Sequence, residues 1–149
     1  MVCLGNICRS PLAQGIMEQK VAKYQLDVMV DSAGTTYHHI GENPDKRSIA
    51  NALKHNIDIS QQKARLFSTE DFVNFDLIYV MDLANYKNVI GLAQSNEDKK
   101  KVTLIMNELY PRNDIEVPDP YFGGEESFEK VYNLLDLACE CIARKLSAS

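Results

Sequence analysis

The sequence predicts one α/β domain over residues 1–149, a three-layer sandwich in which helices flank a four-stranded parallel sheet. Segments with strand patterns alternate with segments of helical periodicity, which is typical of right-handed β-α-β crossovers. The run 77–81 is continuously apolar, as expected of a strand covered on both faces of a parallel sheet. A length of 149 residues suits one compact domain and is too short for two.

The first half of the chain contains two predicted helices separated by a strand. A serine cap, a proline in the first turn and apolar residues at helical spacing predict a helix over about 10–24. Alternating apolar residues over 26–30 predict a strand, which ends in the small-residue turn 32–35. An Asn-Pro-Asp start predicts a second helix over about 45–55.

The second half adds two strands, a long loop and a long helix. The strand 77–81 ends at Asp82, which is expected to open another helix, and 102–106 is a further strand. The segment 110–124 contains three prolines and is too long for a simple connection. From a Ser127 cap onward, apolar residues at steps of three and four predict an amphipathic helix.

Composition and charge exclude several classes of function. The formal net charge of -5 disfavours nucleic acid and anionic membranes as partners. No stretch is long and apolar enough to span a bilayer, and the first residues do not form a signal peptide. These features predict a soluble, cytoplasmic protein, in which the four cysteines are thiols and not a disulfide framework.

The opening stretch Cys3-Leu4-Gly5-Asn6-Ile7-Cys8-Arg9-Ser10 is expected at the carboxyl end of a strand, where parallel sheets bind ligands. Residues 4–9 turn into a helix amino terminus and can direct backbone N–H groups at one point, where the helix dipole adds positive potential. Gly5 permits the tight turn, and Arg9 can hold two oxygens with its planar fork. The loop therefore fits a tetrahedral anion such as phosphate or sulfate.

Cys3 lies at the base of this predicted cup, and the N–H groups and Arg9 should favour its thiolate, a nucleophile for phosphorus. Ser10 could donate a hydrogen bond to the sulfur, and Asn6 is expected to brace the loop. Two simpler readings are an incidental strand-turn-helix and half of a Cys-x4-Cys metal site. No second ligand pair has zinc spacing, so neither a metal nor another cofactor is needed to explain the loop.

The opening stretch resembles the signature of the low-molecular-weight protein tyrosine phosphatases. The resemblance extends over essentially the whole chain in the family's order, at Asp31-Ser32-Ala33-Gly34-Thr35, Gly41, Pro44-Asp45, Arg47, Ala64-Arg65, Met81-Asp82, Asn85 and Asp119-Pro120-Tyr121. It implies an α/β fold with the phosphate-binding loop after the first strand. It also implies hydrolysis of phosphotyrosine through a cysteinyl-phosphate intermediate, without metal or other cofactor.

The resemblance assigns the catalytic roles to Cys3, Arg9 and Asp119, with Asp119 as general acid and then general base. It places Leu4, Gly5, Asn6, Ile7, Cys8, Ser10, His38, Tyr121 and Phe122 around the substrate.

Prolines on both sides of Asp119 stiffen its backbone, although Asp-Pro alone is also typical of a turn. Tyr121 and Phe122 would be aromatic walls or ordinary half-buried rings, and many family members have a second tyrosine at Phe122. His38 stands where the family often has an aromatic residue, and an exposed loop histidine is the alternative.

The resemblance also implies support for the loop. Ser32 matches a residue that holds the asparagine, here Asn6, and Gln61 aligns with a family histidine of the same network. Asp82 resembles an aspartate that braces Arg9, and it can equally cap the helix after its strand.

The pairing of Cys8 with Cys3 in a reversible disulfide is likewise implied by the resemblance, and it would protect the nucleophile from over-oxidation. The alternative is that Cys8 is a small buried residue under the loop. Cys139 and Cys141 are expected to pack in the last helix.

One feature departs from the family pattern. Family members usually have several apolar residues before the signature, and this sequence has only Met1 and Val2. Because a parallel sheet without the central strand that those residues form would leave neighbouring backbone groups unpaired, we expect either that the natural start lies upstream of Met1 or that the sequence has been trimmed.

The sequence thus predicts a metal-independent phosphatase whose partners are tyrosine-phosphorylated proteins and a cognate tyrosine kinase. Three alternative functions fit the sequence less well. An arsenate reductase on a similar fold would need resolving cysteines on a mobile segment, and phosphoarginine phosphatases carry threonine at the position of Ile7. A non-catalytic phosphate-binding adaptor would be expected to lack the nucleophile, the arginine or the acid.

Overall fold

Four parallel strands form one sheet in the order β2-β1-β3-β4 in the computed structural model, which describes residues 1–149. The strands are β1 Val2–Cys3, β2 Ala33–Gly34, β3 Ile78–Val80 and β4 Val102–Leu104. In β1, Val2 pairs with Ala33 on one side and with Val80 on the other, so β1 is an interior strand although it has only two residues. The predicted α/β class with a four-stranded parallel sheet is confirmed.

Helices follow the strands on both faces of the sheet. They are α1 Arg9–Lys23, α2 Lys46–Lys54, α3 Asp71–Asn74, α4 Leu83–Ile90, α5 Asn96–Lys100 and α6 Glu125–Ser147, with a 3₁₀ turn at Ile105–Glu108. Asp45 caps α2 by accepting a hydrogen bond from the Arg47 amide, and Asp82 caps α4 in a reciprocal pair with Asn85. None of these helices is both long enough and apolar enough to cross a membrane.

The alternation of side chains along β3 divides the core into two parts. Tyr79 faces a cluster of 20 buried residues, to which α1, α2 and α6 contribute Leu12, Ala52 and Leu135. Ile78 and Val80 face a second cluster of 9 buried residues, which includes Phe72 of α3 and Val89 of α4. The result is a three-layer sandwich, with the carboxyl ends of the strands left free for the loops of the site.

The strand predicted over 26–30 is wrong. Residues 26–30 form no strand, and just after them the Asp31 carbonyl accepts a hydrogen bond from the Met1 ammonium group at 3.1 Å. Alternating apolar residues form a strand only beside a hydrogen-bonded neighbour, and pairing with β1 begins downstream of this segment. Leu26 and Val30 instead pack against the larger core cluster.

Element boundaries also differ from the prediction. Both later strands are shorter than expected, because 105–108 turns into the 3₁₀ helix and Met81 lies past the end of β3. α6 begins at Glu125 with Gly124 as its cap, and Ser127 lies in the first turn and not at the cap. The structure favours glycine at Gly123, since a Cβ atom there would lie 2.5 Å from Ser127 Cβ, which rotation of the serine hydroxyl cannot relieve.

Candidate active site

The loop between β1 and α1 wraps around the Cys3 sulfur, and we call residues 3–10 the phosphate-binding loop. The Asn6 amide donates to Cys3 Sγ at 3.3 Å, and the Ser10 hydroxyl lies 3.0 Å from the same sulfur. Cys3 is only 3% exposed. Asn6 has a φ of 57°, in the left-handed region that asparagine tolerates better than most residues. The loop thus places one backbone N–H donor and one hydroxyl group at a buried sulfur.

The side chain of Asn6 holds this strained turn in place. Its amide nitrogen donates to Ser10 Oγ at 2.7 Å and to Ser32 Oγ at 3.0 Å, while its oxygen accepts from the Arg65 amide at 3.0 Å. Every polar group of the buried Asn6 side chain is therefore bonded. Ser32 in turn donates to Gln14 Oε1 at 2.7 Å, which extends the network to α1.

The glutamine in this network differs from the one expected. Gln61 is exposed and its amide lies 3.5 Å from Ser60 Oγ, away from Asn6. Gln14 takes part instead, one helical turn after Ser10. That i to i+4 spacing places both residues on one face of α1 and is the sequence signal that could have identified Gln14.

Arg9 is held in one orientation by two partners. Its Nη1 donates to Asp82 Oδ2 at 2.8 Å and to the Val117 carbonyl at 2.9 Å, and the residue is only 3% exposed. Asp82 has two roles, because its other carboxylate oxygen caps α4. Arg9 Nη2 lies 3.7 Å from Asp119 Oδ2. The guanidinium group and the Asp119 carboxylate therefore meet above the phosphate-binding loop.

These groups line an open pocket of about 250 Å³. The pocket wall is formed by Cys3, Leu4, Gly5, Ile7, Cys8, Arg9, His39, Asp119, Tyr121 and Phe122. Tyr121 is 40% exposed and Phe122 is 97% exposed, and their rings meet edge to face at 5.0 Å. A charged floor with aromatic rings at its mouth can take a phosphate group attached to a planar ring.

His39 lines this pocket, and the predicted His38 does not. The His38 side chain is exposed and its ring lies 4.9 Å from the Tyr37 ring. His39 pairs with Glu42 and lies over the loop, where a Cβ atom on Gly5 would come within 3.1 Å of His39 Cδ2. The sequence pattern located the segment but not which of two adjacent histidines points into the pocket.

The second cysteine of the loop differs sharply from the first in its surroundings. Burial raises the pKa of the Cys8 thiol to about 12, and nearby carboxylates add to the effect. Both loop cysteines are free thiols, and Cys139 and Cys141 lie on α6 outside the pocket. Nowhere in residues 1–149 do three or more His, Cys, Asp or Glu side chains gather as potential metal ligands.

Comparison with known proteins identifies the family of this chain. The profile of the family "Low molecular weight phosphotyrosine protein phosphatase" matches residues 1–149. The human protein of that name is 33% identical over 146 residues, which are 97% of this chain and 92% of the human one. A Drosophila melanogaster relative, low molecular weight phosphotyrosine protein phosphatase 2, is 39% identical over 142 residues, covering 93% of this chain and 85% of its own.

Solved structures agree with this assignment. A protein tyrosine phosphatase from Entamoeba histolytica, crystallised with Hepes in its active site, has a TM-score of 0.92 at 35% identity, covering 99% of this chain and 94% of its own. Vibrio vulnificus Wzb, in complex with benzylphosphonate, has a TM-score of 0.86 at 27% identity. The match covers 97% of this chain and 94% of the Wzb chain. The chain belongs to the low molecular weight phosphotyrosine protein phosphatase family.

Proposed function

We propose that this chain hydrolyses phosphotyrosine and small aryl phosphates through a phosphocysteine at Cys3. The observation that carries the proposal is the convergence of three groups on one pocket. The Cys3 sulfur lies at its floor beside the Asn6 N–H and the Ser10 hydroxyl, Arg9 lines the same pocket, and the Asp119 carboxylate lies 3.7 Å from Arg9 Nη2. Such a set supplies a nucleophile, a positive charge for the phosphoryl oxygens and an acid.

In the first step, the Cys3 thiolate attacks phosphorus. The S–P bond forms as the bond from phosphorus to the aryl oxygen breaks, and protonated Asp119 gives its proton to that oxygen. Arg9 and the loop amides stabilise the charge on the phosphoryl oxygens in the transition state. Since these fixed charges and dipoles perform that task, the reaction needs no metal ion.

In the second step, water attacks the phosphocysteine. The Asp119 carboxylate accepts a proton from the water as the new P–O bond forms and the S–P bond breaks. Cys3 leaves as a thiolate, which the Ser10 hydroxyl stabilises by hydrogen bonding. The products are inorganic phosphate and the free enzyme, so Asp119 ends the cycle protonated again.

The walls of the pocket favour an aromatic phosphate ester. Tyr121, Phe122 and His39 offer rings on the sides of a pocket whose floor is the phosphate-binding loop. The benzylphosphonate bound by Vibrio vulnificus Wzb has this form, a phosphonate joined to a benzyl ring. By the same chemistry, tyrosine-phosphorylated proteins are the proposed partners, a cognate tyrosine kinase supplies them, and phosphate or sulfate can occupy the loop.

Cys8 is proposed to protect Cys3 under oxidation. Peroxide would convert the Cys3 thiolate to a sulfenic acid, and the Cys8 thiolate would then displace hydroxide to form a disulfide. Because the pKa of Cys8 is raised to about 12, little of it is thiolate at neutral pH, so the disulfide should form faster as pH rises. Peroxide-treated protein that regains no activity with a thiol reductant would rule out this role.

The test is hydrolysis of para-nitrophenyl phosphate in the presence of a metal chelator by the native protein and by Cys3→Ser. The serine hydroxyl is not ionised at neutral pH, so activity should vanish while the fold, checked by circular dichroism, is retained. Activity that survives in Cys3→Ser, or that is lost by the native protein on chelation, would refute the proposal.

A further inference from the structure

The segment that carries Asp119 is anchored at its first end to the sheet and to Arg9. The Val117 amide donates to the Met81 carbonyl at 2.8 Å, just past β3. The Val117 carbonyl accepts from Arg9 Nη1 at 2.9 Å. These bonds fix the backbone at Val117, two residues before Asp119. They do not reach the residues that follow Asp119.

At its other end the segment closes into a short turn. The Gly123 amide donates to the Pro120 carbonyl at 2.8 Å, and the Tyr121 amide donates to Asp119 Oδ1 at 3.1 Å. Asp119 is 46% exposed, so packing alone does not fix its side chain. Because the Asp119 carboxylate is bonded to the Tyr121 amide, contacts that fix this turn also help to fix the position of the carboxylate.

Arg47, near the start of α2, contacts this turn from the side. Its Nη1 donates to the Gly123 carbonyl at 3.3 Å. Its guanidinium carbon lies 5.3 Å from the centre of the Tyr121 ring and 4.8 Å from that of Phe128, a buried residue of α6. A planar cation against two rings combines cation–π attraction with shape matching, which a lysine ammonium would not reproduce.

The Arg47 guanidinium group is also held by the Asp45 carboxylate. Arg47 Nε donates to Asp45 Oδ1 at 3.0 Å, and Arg47 Nη2 donates to Asp45 Oδ2 at 3.0 Å. The two residues thus form a bidentate ion pair. Asp45 is also joined to the phosphate-binding loop, because its amide donates to the Ile7 carbonyl at 2.8 Å. Ser48 adds a hydrogen bond to the Cys8 carbonyl at 3.0 Å. The first turn of α2 thus bonds both loops of the site.

We infer that Arg47 is a positioning residue that fixes the Asp119 turn and the Tyr121 wall relative to the phosphate-binding loop. This inference rests on the proposed function, since it concerns the placement of the acid for that reaction. Arg47 acts through Gly123, Tyr121 and Asp45. Its loss should therefore impair proton delivery to the leaving group while the phosphate-binding loop stays intact.

The test compares Arg47→Gln with Lys46→Gln. Lys46 is the exposed neighbour of Arg47 in α2, so its replacement removes the same charge from the same helical turn without touching the Asp119 turn. Asp45→Asn is a second variant, because asparagine still caps the helix but loses the ion pair. Each is assayed for kcat/KM on phenyl phosphate and on para-nitrophenyl phosphate, and for competitive inhibition by inorganic phosphate.

Phenolate is a much poorer leaving group than para-nitrophenolate, so phenyl phosphate depends far more on the acid. In Arg47→Gln we expect kcat/KM for phenyl phosphate to fall by up to about 10²-fold, the scale set by a misplacement of about 1 Å. The loss on para-nitrophenyl phosphate should be much smaller, and inhibition by phosphate should be unchanged. Asp45→Asn should show the same pattern more weakly, and Lys46→Gln should match the native protein.

Two results would overturn the inference: equal losses on both esters in Arg47→Gln, or the same change in Lys46→Gln. Hydrogen exchange at residues 119–123 gives a readout that does not need activity, and exchange there should be faster in Arg47→Gln than in Lys46→Gln. If the native protein hydrolyses neither ester, the proposed function fails. The exchange comparison then decides the role of Arg47 alone, and equal exchange in the two variants would refute it.

Discussion

The Ser10 hydroxyl lies 3.0 Å from the Cys3 sulfur while its oxygen accepts a hydrogen bond from the Asn6 side chain at 2.7 Å. The Ser10 hydroxyl proton has two acceptors within reach, the Cys3 sulfur at 3.0 Å and the Ala33 carbonyl at 3.4 Å, and the sulfur is the nearer. The sulfur also receives the Asn6 backbone N–H at 3.3 Å. In the proposed mechanism, Ser10 is thus placed to stabilise Cys3 both as attacking thiolate and as leaving group.

Removal of this hydroxyl should slow the second step more than the first. A hydrogen bond to a charged group contributes about 1.5–3 kcal/mol, so Ser10→Ala is expected to lower kcat by about 10- to 100-fold. Phosphoenzyme should accumulate, which a larger burst of phenol in rapid-quench kinetics would reveal. A rise in KM with unchanged kcat would contradict this role for Ser10.

Loss of the acid should affect turnover and not binding. Asp119→Ala is expected to lower kcat for aryl phosphates by about 10²- to 10⁴-fold, the usual contribution of general acid–base catalysis. Inhibition by inorganic phosphate should change little, because the phosphate-binding loop does not depend on this side chain. Weaker inhibition by phosphate with unchanged kcat would count against the acid role.

The two adjacent histidines provide a matched pair of variants. His39→Ala should raise KM for phosphotyrosine peptides several-fold, since His39 lines the pocket, whereas His38→Ala should leave KM unchanged. Steady-state kinetics on one phosphopeptide with both variants make the comparison. A larger effect from His38 would mean that the segment adopts a different arrangement with substrate.

Acid should destabilise the fold at the contact between α1 and α6. Hydrogen bonds from Tyr24 and then Lys23, with the charge of Lys20, lower the pKa of Glu140 from 4.5 to about 2. A carboxyl group with a lowered pKa stabilises the fold above its unfolded pKa and loses that contribution as pH falls through the folded one. The free energy of unfolding should therefore fall between pH 4.5 and pH 2.

Urea denaturation of the native protein and of Glu140→Gln over this range measures the effect. The variant should be less stable at neutral pH and should show a flatter dependence on pH below 4.5. Parallel curves for the two proteins would exclude Glu140 as a source of acid sensitivity.

Sequence patterns predicted the sheet class and the loop that forms the pocket floor because both depend on local signals. The apolar run 77–81 and the loop 3–10 each indicate their structure within a few residues. The false strand at 26–30 shows the limit, because alternation reports burial of one face and not the presence of a hydrogen-bonded partner. The start of α6 was misplaced for a similar reason, since Gly124 caps it without a side chain.

The errors within the site concern side-chain direction. The choice of His39 over His38 depends on the path of a loop and does not follow from a linear pattern, whereas the i to i+4 spacing from Ser10 could have indicated Gln14 in place of Gln61. The resemblance indicated the contact of Asp82 with Arg9, whereas the role proposed for Arg47 depends on its contact with Gly123, which lies far away in sequence. Such contacts become visible only when the elements are assembled.

The central claim is that Cys3 carries the phosphoryl group, and the most direct measurement is mass spectrometry of acid-quenched Asp119→Ala after mixing with para-nitrophenyl phosphate. Because para-nitrophenolate is a good leaving group, the first step needs little help from an acid. The second step lacks its general base in Asp119→Ala, so the phosphoenzyme should accumulate. The account predicts one added phosphoryl group on the peptide that contains Cys3, and none in the Cys3→Ser, Asp119→Ala double variant. Turnover of the ester without phosphoenzyme, or phosphorylation at any other residue, would contradict it.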